Sequence, residues 1–203
     1  MKKSLLILPV WILLLLAGCE PAVRPQLGFI YHADGTFDSC VHVDRRPQGV
    51  VFAMGVGADS SWCYVLSLEE HLLPFTAVVS SLPGEFSTDS LCGFQNTRLW
   101  MKELHGRSPL LDRMAEMGKK WFIPSVGELR LLRSRFDEVY GMLDSIPGAY
   151  QVGMNNYLSS TPEPDPAYPQ YAIAYDLYGD RFSDCNKADS CRVRFMLRVK
   201  RGK

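Results

Sequence analysis

No CxxC pair occurs in these 203 residues, and the four histidines, His32, His42, His71 and His105, are scattered along the chain. The familiar spacing of a structural zinc site is therefore missing. An excess of one charge is missing too, with 22 basic and 22 acidic residues, so no basic field calls for nucleic acid as a partner. The chain has no internal repeat, no low-complexity tract and no glycine-rich phosphate loop. Beyond the first nineteen residues, no apolar run reaches the roughly eighteen residues that a membrane-crossing helix needs. Ser159 and Ser160 lie in no GxSxG context and have no histidine near them in sequence. These absences leave no catalytic site legible.

What is present begins with an address. Lys2 and Lys3 precede an apolar core from Leu5 to Leu16, and Leu16-Ala17-Gly18-Cys19 closes the segment. That order reads as a secretion signal and not a lasting span. The small residues before Cys19 resemble the bacterial lipoprotein cleavage signal. The resemblance implies a signal peptide over residues 1–18 and lipid attachment at Cys19, whose several acyl chains would make a stable membrane anchor. Glu20 is not the aspartate linked to inner-membrane retention, so the expected location is the cell envelope, at the outer membrane of a Gram-negative bacterium. Residues 19–27, with Pro21 and Pro25, read as a lipidated tether, and residues 28–203 as one globular domain. Setting aside Lys2 and Lys3 leaves 20 basic against 22 acidic residues, close to neutral.

With Cys19 assigned to lipid, Cys40, Cys63, Cys92, Cys185 and Cys191 remain in a compartment where disulfides persist. Cys185 and Cys191 bracket a short polar loop and are the expected pair; the odd count leaves at least one thiol free or joined between chains. The pairing of Cys40, Cys63 and Cys92 stays open.

Hydrophobic periodicity predicts strands at both ends and helices between them. Gly28 to Tyr31, with an Asp34-Gly35 turn before Phe37, opens the series; Val50 to Met54 is apolar enough for burial on both faces; Trp62 to Leu68 follows. Leu68 to Leu72 reads as one helical turn closed by Pro74, and Phe75 to Gly93 as mostly loop. Thr97 to Leu104 is a short helix, and Ser108 with Pro109 starts another that Gly118 ends. Ser125 and Glu128 form a capping box after Pro124. The stripe Leu129, Leu132, Phe136, Val139, Leu143 then predicts a single helix of about twenty residues, ended by Pro147 and Gly148. Tyr157 to Thr161 is strand-like, Pro162 to Gln170 an exposed proline loop, and Tyr171 to Leu177 and Cys191 to Val199 are strands. In the last, Arg192, Arg194, Met196 and Arg198 alternate with a buried face and read as the wet side, running into a polar tail. The fold class expected is α+β, one mixed or antiparallel sheet built from both chain ends with two or three helices packed on it.

Gly28-Phe29-Ile30-Tyr31, Gly49-Val50-Val51-Phe52, Asn96-Thr97, Trp121-Phe122-Ile123-Pro124-Ser125 with Gly127-Glu128-Leu129, and Tyr157-Leu158-Ser159-Ser160-Thr161 together resemble domains of unassigned role in surface lipoproteins, especially from Bacteroidales. Those domains are related to the C-type-lectin-like fold of formylglycine-generating enzymes, and the resemblance covers nearly the whole mature chain. The fold it implies hosts enzymes, sugar binders and protein-binding adhesins. Formylglycine-generating enzymes hold copper on two nearby cysteines, for which Cys185 and Cys191 are the local candidates, although their spacing is not a clear match. Calcium-dependent lectins carry a Glu-Pro-Asn or Gln-Pro-Asp run in a long loop; Glu163-Pro164-Asp165 resembles it, and calcium takes oxygen ligands. Calcium-linked glycan binding and a formylglycine-type oxidase are thus alternatives to the main expectation. That expectation is a binding, adhesin-like or structural surface module without catalytic residues. It presents Glu163, Asp165 and Tyr168 in one loop and Ser183 to Ser190 in another to a glycan or a surface protein. Of the other tyrosines, Tyr157 and Tyr171 read as core.

Overall fold

A computed structural model describes residues 23–42, 44–55 and 61–200. The signal segment, Cys19 and the end of the basic tail lie outside the described residues. In chain order, β1 (Ile30–His32), β2 (Phe37–Asp38), β3 (Pro47–Met54), β4 (Trp62–Ser67) and β5 (His71–Pro74) precede α1 (Gly93–Glu103) and α2 (Pro109–Met117). Next come β6 (Trp121–Phe122), α3 (Val126–Ser134) and α4 (Phe136–Asp144). The closing strands are β7 (Asn156–Leu158), β8 (Tyr171–Asp176), β9 (Arg181–Asn186), β10 (Ser190–Val193) and β11 (Met196–Lys200).

The fold is α+β, and its strands pair antiparallel throughout. The largest sheet runs β2-β1-β3-β4-β11-β6, so the last strand sits between strands from the first and middle thirds of the chain. A three-stranded sheet, β7-β8-β9, and the pair β10-β5 complete it. Alternation along β3 and β4 divides the core in two. Val50, Phe52, Tyr64 and Leu66 face α3 and α4 through Val126, Leu129, Leu132, Val139 and Leu143. Val51, Val65, Leu197 and Trp121 face α1 and α2 through Trp100, Leu104, Leu110, Leu111 and Met114. β3 is therefore buried on both faces, as its apolar run predicts.

Four local expectations are corrected. The long helix is two, because Arg135 leaves helical geometry at φ −123°, ψ 23°. The Ser134 hydroxyl donates back to the Leu131 carbonyl at 2.8 Å, a bond that bends helices, and the break lets one apolar stripe follow the core from β8 to β3. Leu68 to Leu72 forms no helical turn; His71 to Pro74 is instead a strand that β10 holds in register, with Pro74 on an edge where its missing donor costs little. Ser183 to Ser190 is not one loop: its first half belongs to β9, which β8 pairs from Arg181 to Asn186, Ser190 opens β10, and the turn between them is Lys187 to Asp189. Cys191 to Val199 is not one strand: β10 belongs to the small sheet and β11 to the large one. At the crossing, Arg194 and Met196 are fully buried and do not form a wet face.

Candidate functional site

Three of the five resembling motifs, Asn96-Thr97, the run from Trp121 to Leu129 and Tyr157 to Thr161, meet in one buried polar knot around the start of α3. The Ser125 hydroxyl caps Glu128 N–H at 3.5 Å, and Glu128 Oε2 accepts from Ser125 N–H at 2.7 Å, completing the capping box. The same oxygen accepts from Gly93 N–H at 3.0 Å, joining the starts of α1 and α3. A Cβ at Gly93 would collide with it and lie 2.8 Å from the Ile123 carbonyl, so no larger residue fits there. Thr161 Oγ1 accepts from Val126 N–H at 3.1 Å. Asn96 donates to the Ser160 carbonyl at 2.9 Å, and Thr97 Oγ1 accepts from Ile123 N–H at 3.0 Å. Burial pushes the Glu128 carboxyl up to about 7, against the pull of its hydrogen bonds from Ser125 and Gly93. Each of these bonds ties a side chain to the backbone of another segment or of its own helix start. These motif contacts define architecture, with the Ser125 and Ser159 hydroxyls spent on it and the buried Ser160 hydroxyl left without a partner.

A second buried knot lies under the small sheets. The Tyr157 hydroxyl donates to Glu70 at 2.6 Å and accepts from Gly153 N–H at 3.1 Å; Arg192 pairs with the same carboxylate. Beside it, Arg194 donates to the carbonyls of Ser67 at 2.8 Å, Tyr150 at 2.7 Å and Gln151 at 3.4 Å. Its burial pulls the guanidinium down to about 10.

Cys185 and Cys191 form a disulfide, as their bracketing of a polar turn predicts. While the bond stands, neither sulfur is a thiolate that can hold copper. Cys40, Cys63 and Cys92 stand outside it. The bridge closes a loop between residues only 6 positions apart, so replacing both with serine should lower the unfolding free energy by about 2 kcal/mol, the loop-closure entropy of so short a ring. Denaturant unfolding checks this; equal midpoints for the wild type and the double variant would contradict it.

The disulfide floors a groove of about 330 Å³ between the two small sheets. Leu72 and Arg192 stand on one side, and Asn156, Ser183 and Asp184 on the other. That volume lies at the small end of the range for ligand sites, and its lining is rich in hydrogen-bonding side chains.

The proline loop enters β8 at Tyr171, whose partner across the ladder is Asn186, so it lies next to the disulfide turn. Buried Lys187 anchors that corner: its ammonium donates to the Ser80 carbonyl at 2.5 Å, and its own carbonyl accepts from Phe75 and Thr76. Desolvation lowers its proton affinity. Glu163 and Asp165 are turned to their own loop, accepting from Asp165 N–H at 3.2 Å and Ala167 N–H at 2.9 Å. Among the described residues, no third histidine, cysteine or carboxylate converges on them. The crevice behind them, about 10 Å³, has room for one water, so a ligand would meet this loop from outside. Tyr168 is there, half-exposed, with its ring 6.4 Å from that of Tyr171. The tyrosines do not form one platform: Tyr157 and Tyr175 are buried, and Tyr178 lies beyond the far end of β8.

Comparison with models of known families gives no match for the chain, and comparison with curated proteins gives none either. Fold and geometry alone thus define its class, an α+β domain with a braced polar groove.

Proposed function

We propose that the protein is a lipid-anchored cell-envelope module of the C-type-lectin-like kind, held at the outer membrane through Cys19, that binds a glycan or a surface protein. The supporting observation is the groove above Cys185–Cys191, whose hydrogen-bonding walls are fixed by a disulfide and a paired strand on each side. Tyr168, half-exposed in the proline loop that enters β8, supplies an aromatic face on which a sugar ring or an apolar side chain stacks.

Two measurements test the reading. Cys19→Ser should move the protein out of the membrane fraction or leave it uncleaved; an unchanged, processed, membrane-bound form would overturn the anchor. Full-length protein in detergent, applied to a glycan array with calcium or with chelator, and in parallel used to capture surface proteins, should yield a ligand. Asp184→Ala and Tyr168→Ala should each weaken that ligand by about tenfold, the loss of one well-placed contact. Silence on the array and in the capture, or a ligand indifferent to both substitutions, would overturn the groove as its site.

A further inference from the structure

A different group of side chains converges at the free edge of the large sheet. Asp38 ends the edge strand β2, and Cys40 and His42 follow at steps of two. One ligand atom from each, a carboxylate oxygen, the thiol sulfur and an imidazole nitrogen, lie within 4.8 Å of one another. Cys40 Sγ is 3.6 Å from His42 Nε2, and Asp38 Oδ2 is 3.0 Å from the same nitrogen. Because both neighbours meet one nitrogen, the histidine cannot pass a proton from thiol to carboxylate through its ring. A Cys-His-Asp relay is excluded, and what remains is convergence on a point.

In a tetrahedral site with metal–sulfur bonds of about 2.3 Å and metal–nitrogen or metal–oxygen bonds of about 2.0 Å, ligand atoms lie about 3.3 to 3.6 Å apart. The sulfur–nitrogen separation already has that value, the nitrogen–oxygen pair needs to open by a few tenths of an ångström, and the oxygen and sulfur, within 4.8 Å, need to close by up to about 1.2 Å. A second observation comes from His32. It is fully buried, both of its ring nitrogens lack a partner, and its ring centroid lies 6.2 Å from that of His42. An unpartnered buried imidazole is costly unless something arriving at the site satisfies it. Arg45, whose guanidinium is 3.2 Å from Asp38 Oδ2, supplies the positive charge that this carboxylate otherwise lacks, and its partly exposed side chain can yield the oxygen.

We propose that Asp38, Cys40 and His42 bind a divalent metal ion of the zinc type, with the fourth position turned to His32. Binding replaces the thiol proton, which leaves to solvent, by a sulfur–metal bond; imidazole plus thiolate is the donor set that zinc prefers over calcium or magnesium. This site is separate from the groove and does not rest on the binding reading above.

The test uses untagged full-length protein in detergent, titrated with cobalt(II) as a spectroscopic stand-in and then with zinc(II). The expected result is tetrahedral cobalt bands and a thiolate-to-cobalt charge-transfer band, both displaced by zinc. Cys40→Ser should abolish the charge-transfer band, and Cys40→Ser and His42→Ala should each weaken zinc by more than the roughly tenfold that loss of an outer-shell partner costs. Both side chains reach the surface, so the variants should keep the wild-type melting profile. As an independent readout, zinc should shield Cys40 of the wild-type protein from maleimide. Absent cobalt bands, a charge-transfer band that survives Cys40→Ser, or a thiol that zinc fails to shield would each overturn the site.

Discussion

Glu128→Ala is expected to cost about 4 kcal/mol of unfolding free energy, because it leaves the buried amides of Ser125 and Gly93 without an acceptor and removes one half of a capping box. The pH dependence is the sharper test. The carboxyl is raised from 4.5 to about 7 by burial, so between those values the folded chain holds a proton that the unfolded chain has released. Raising pH through that window therefore favours unfolding, by up to about 3 kcal/mol, with the loss complete above pH 7 and none below 4.5. His71, lowered by burial and then by Arg113, acts in the opposite sense below 6.5, so the wild-type curve alone mixes the two. Glu128→Gln cannot titrate, and the difference between its stability and that of the wild type isolates the effect. Parallel stability curves for the two proteins from pH 4.5 to 7 would refute it.

Arg194→Ala should be as severe, about 3 to 5 kcal/mol, since a fully buried guanidinium that serves three carbonyls leaves all of them unpaired when it goes. Methionine in its place restores volume without donors and should recover a part of the loss. Lysine should recover little, because a single ammonium cannot span the carbonyls of Ser67, Tyr150 and Gln151 as a planar fork does. Urea midpoints of the three variants give the order; a lysine variant equal to wild type would contradict it.

Legibility from sequence followed the range of the interaction. Caps are local, so Ser108 with Pro109 and Ser125 with Glu128 announced two helix starts correctly. The apolar run of β3 announced burial on both faces, and a six-residue step across a polar turn announced the disulfide. Where partners are distant, pattern misled. The stripe from Leu129 to Leu143 keeps its three-and-four rhythm straight through the break at Arg135, because each half needs the same rhythm to pack. Arg194 occupies the wet phase of an alternating run, and only the carbonyls of residues 67, 150 and 151 explain why it turns inward. At the proposed groove, the cysteine pair was legible from its spacing, while Asp184, Leu72 and Asn156 join it through the pairing of β8 with β9, β5 with β10 and β7 with β8. The Asp38, Cys40, His42 group carries no CxxC mark; its signal is a period of two, shared by any exposed strand end.

The place of β11, between β4 and β6, bears on how the chain is made. Synthesis from the N-terminus delivers β1 to β4 early, and the strand that completes their sheet among the last residues made. Until then β4 offers an open row of amides and carbonyls, the kind of edge that recruits strangers. The large sheet must wait for the end of the chain, and a chain shortened by its last dozen residues would leave that edge bare. For such a protein, protection of the waiting edge matters more than speed of collapse.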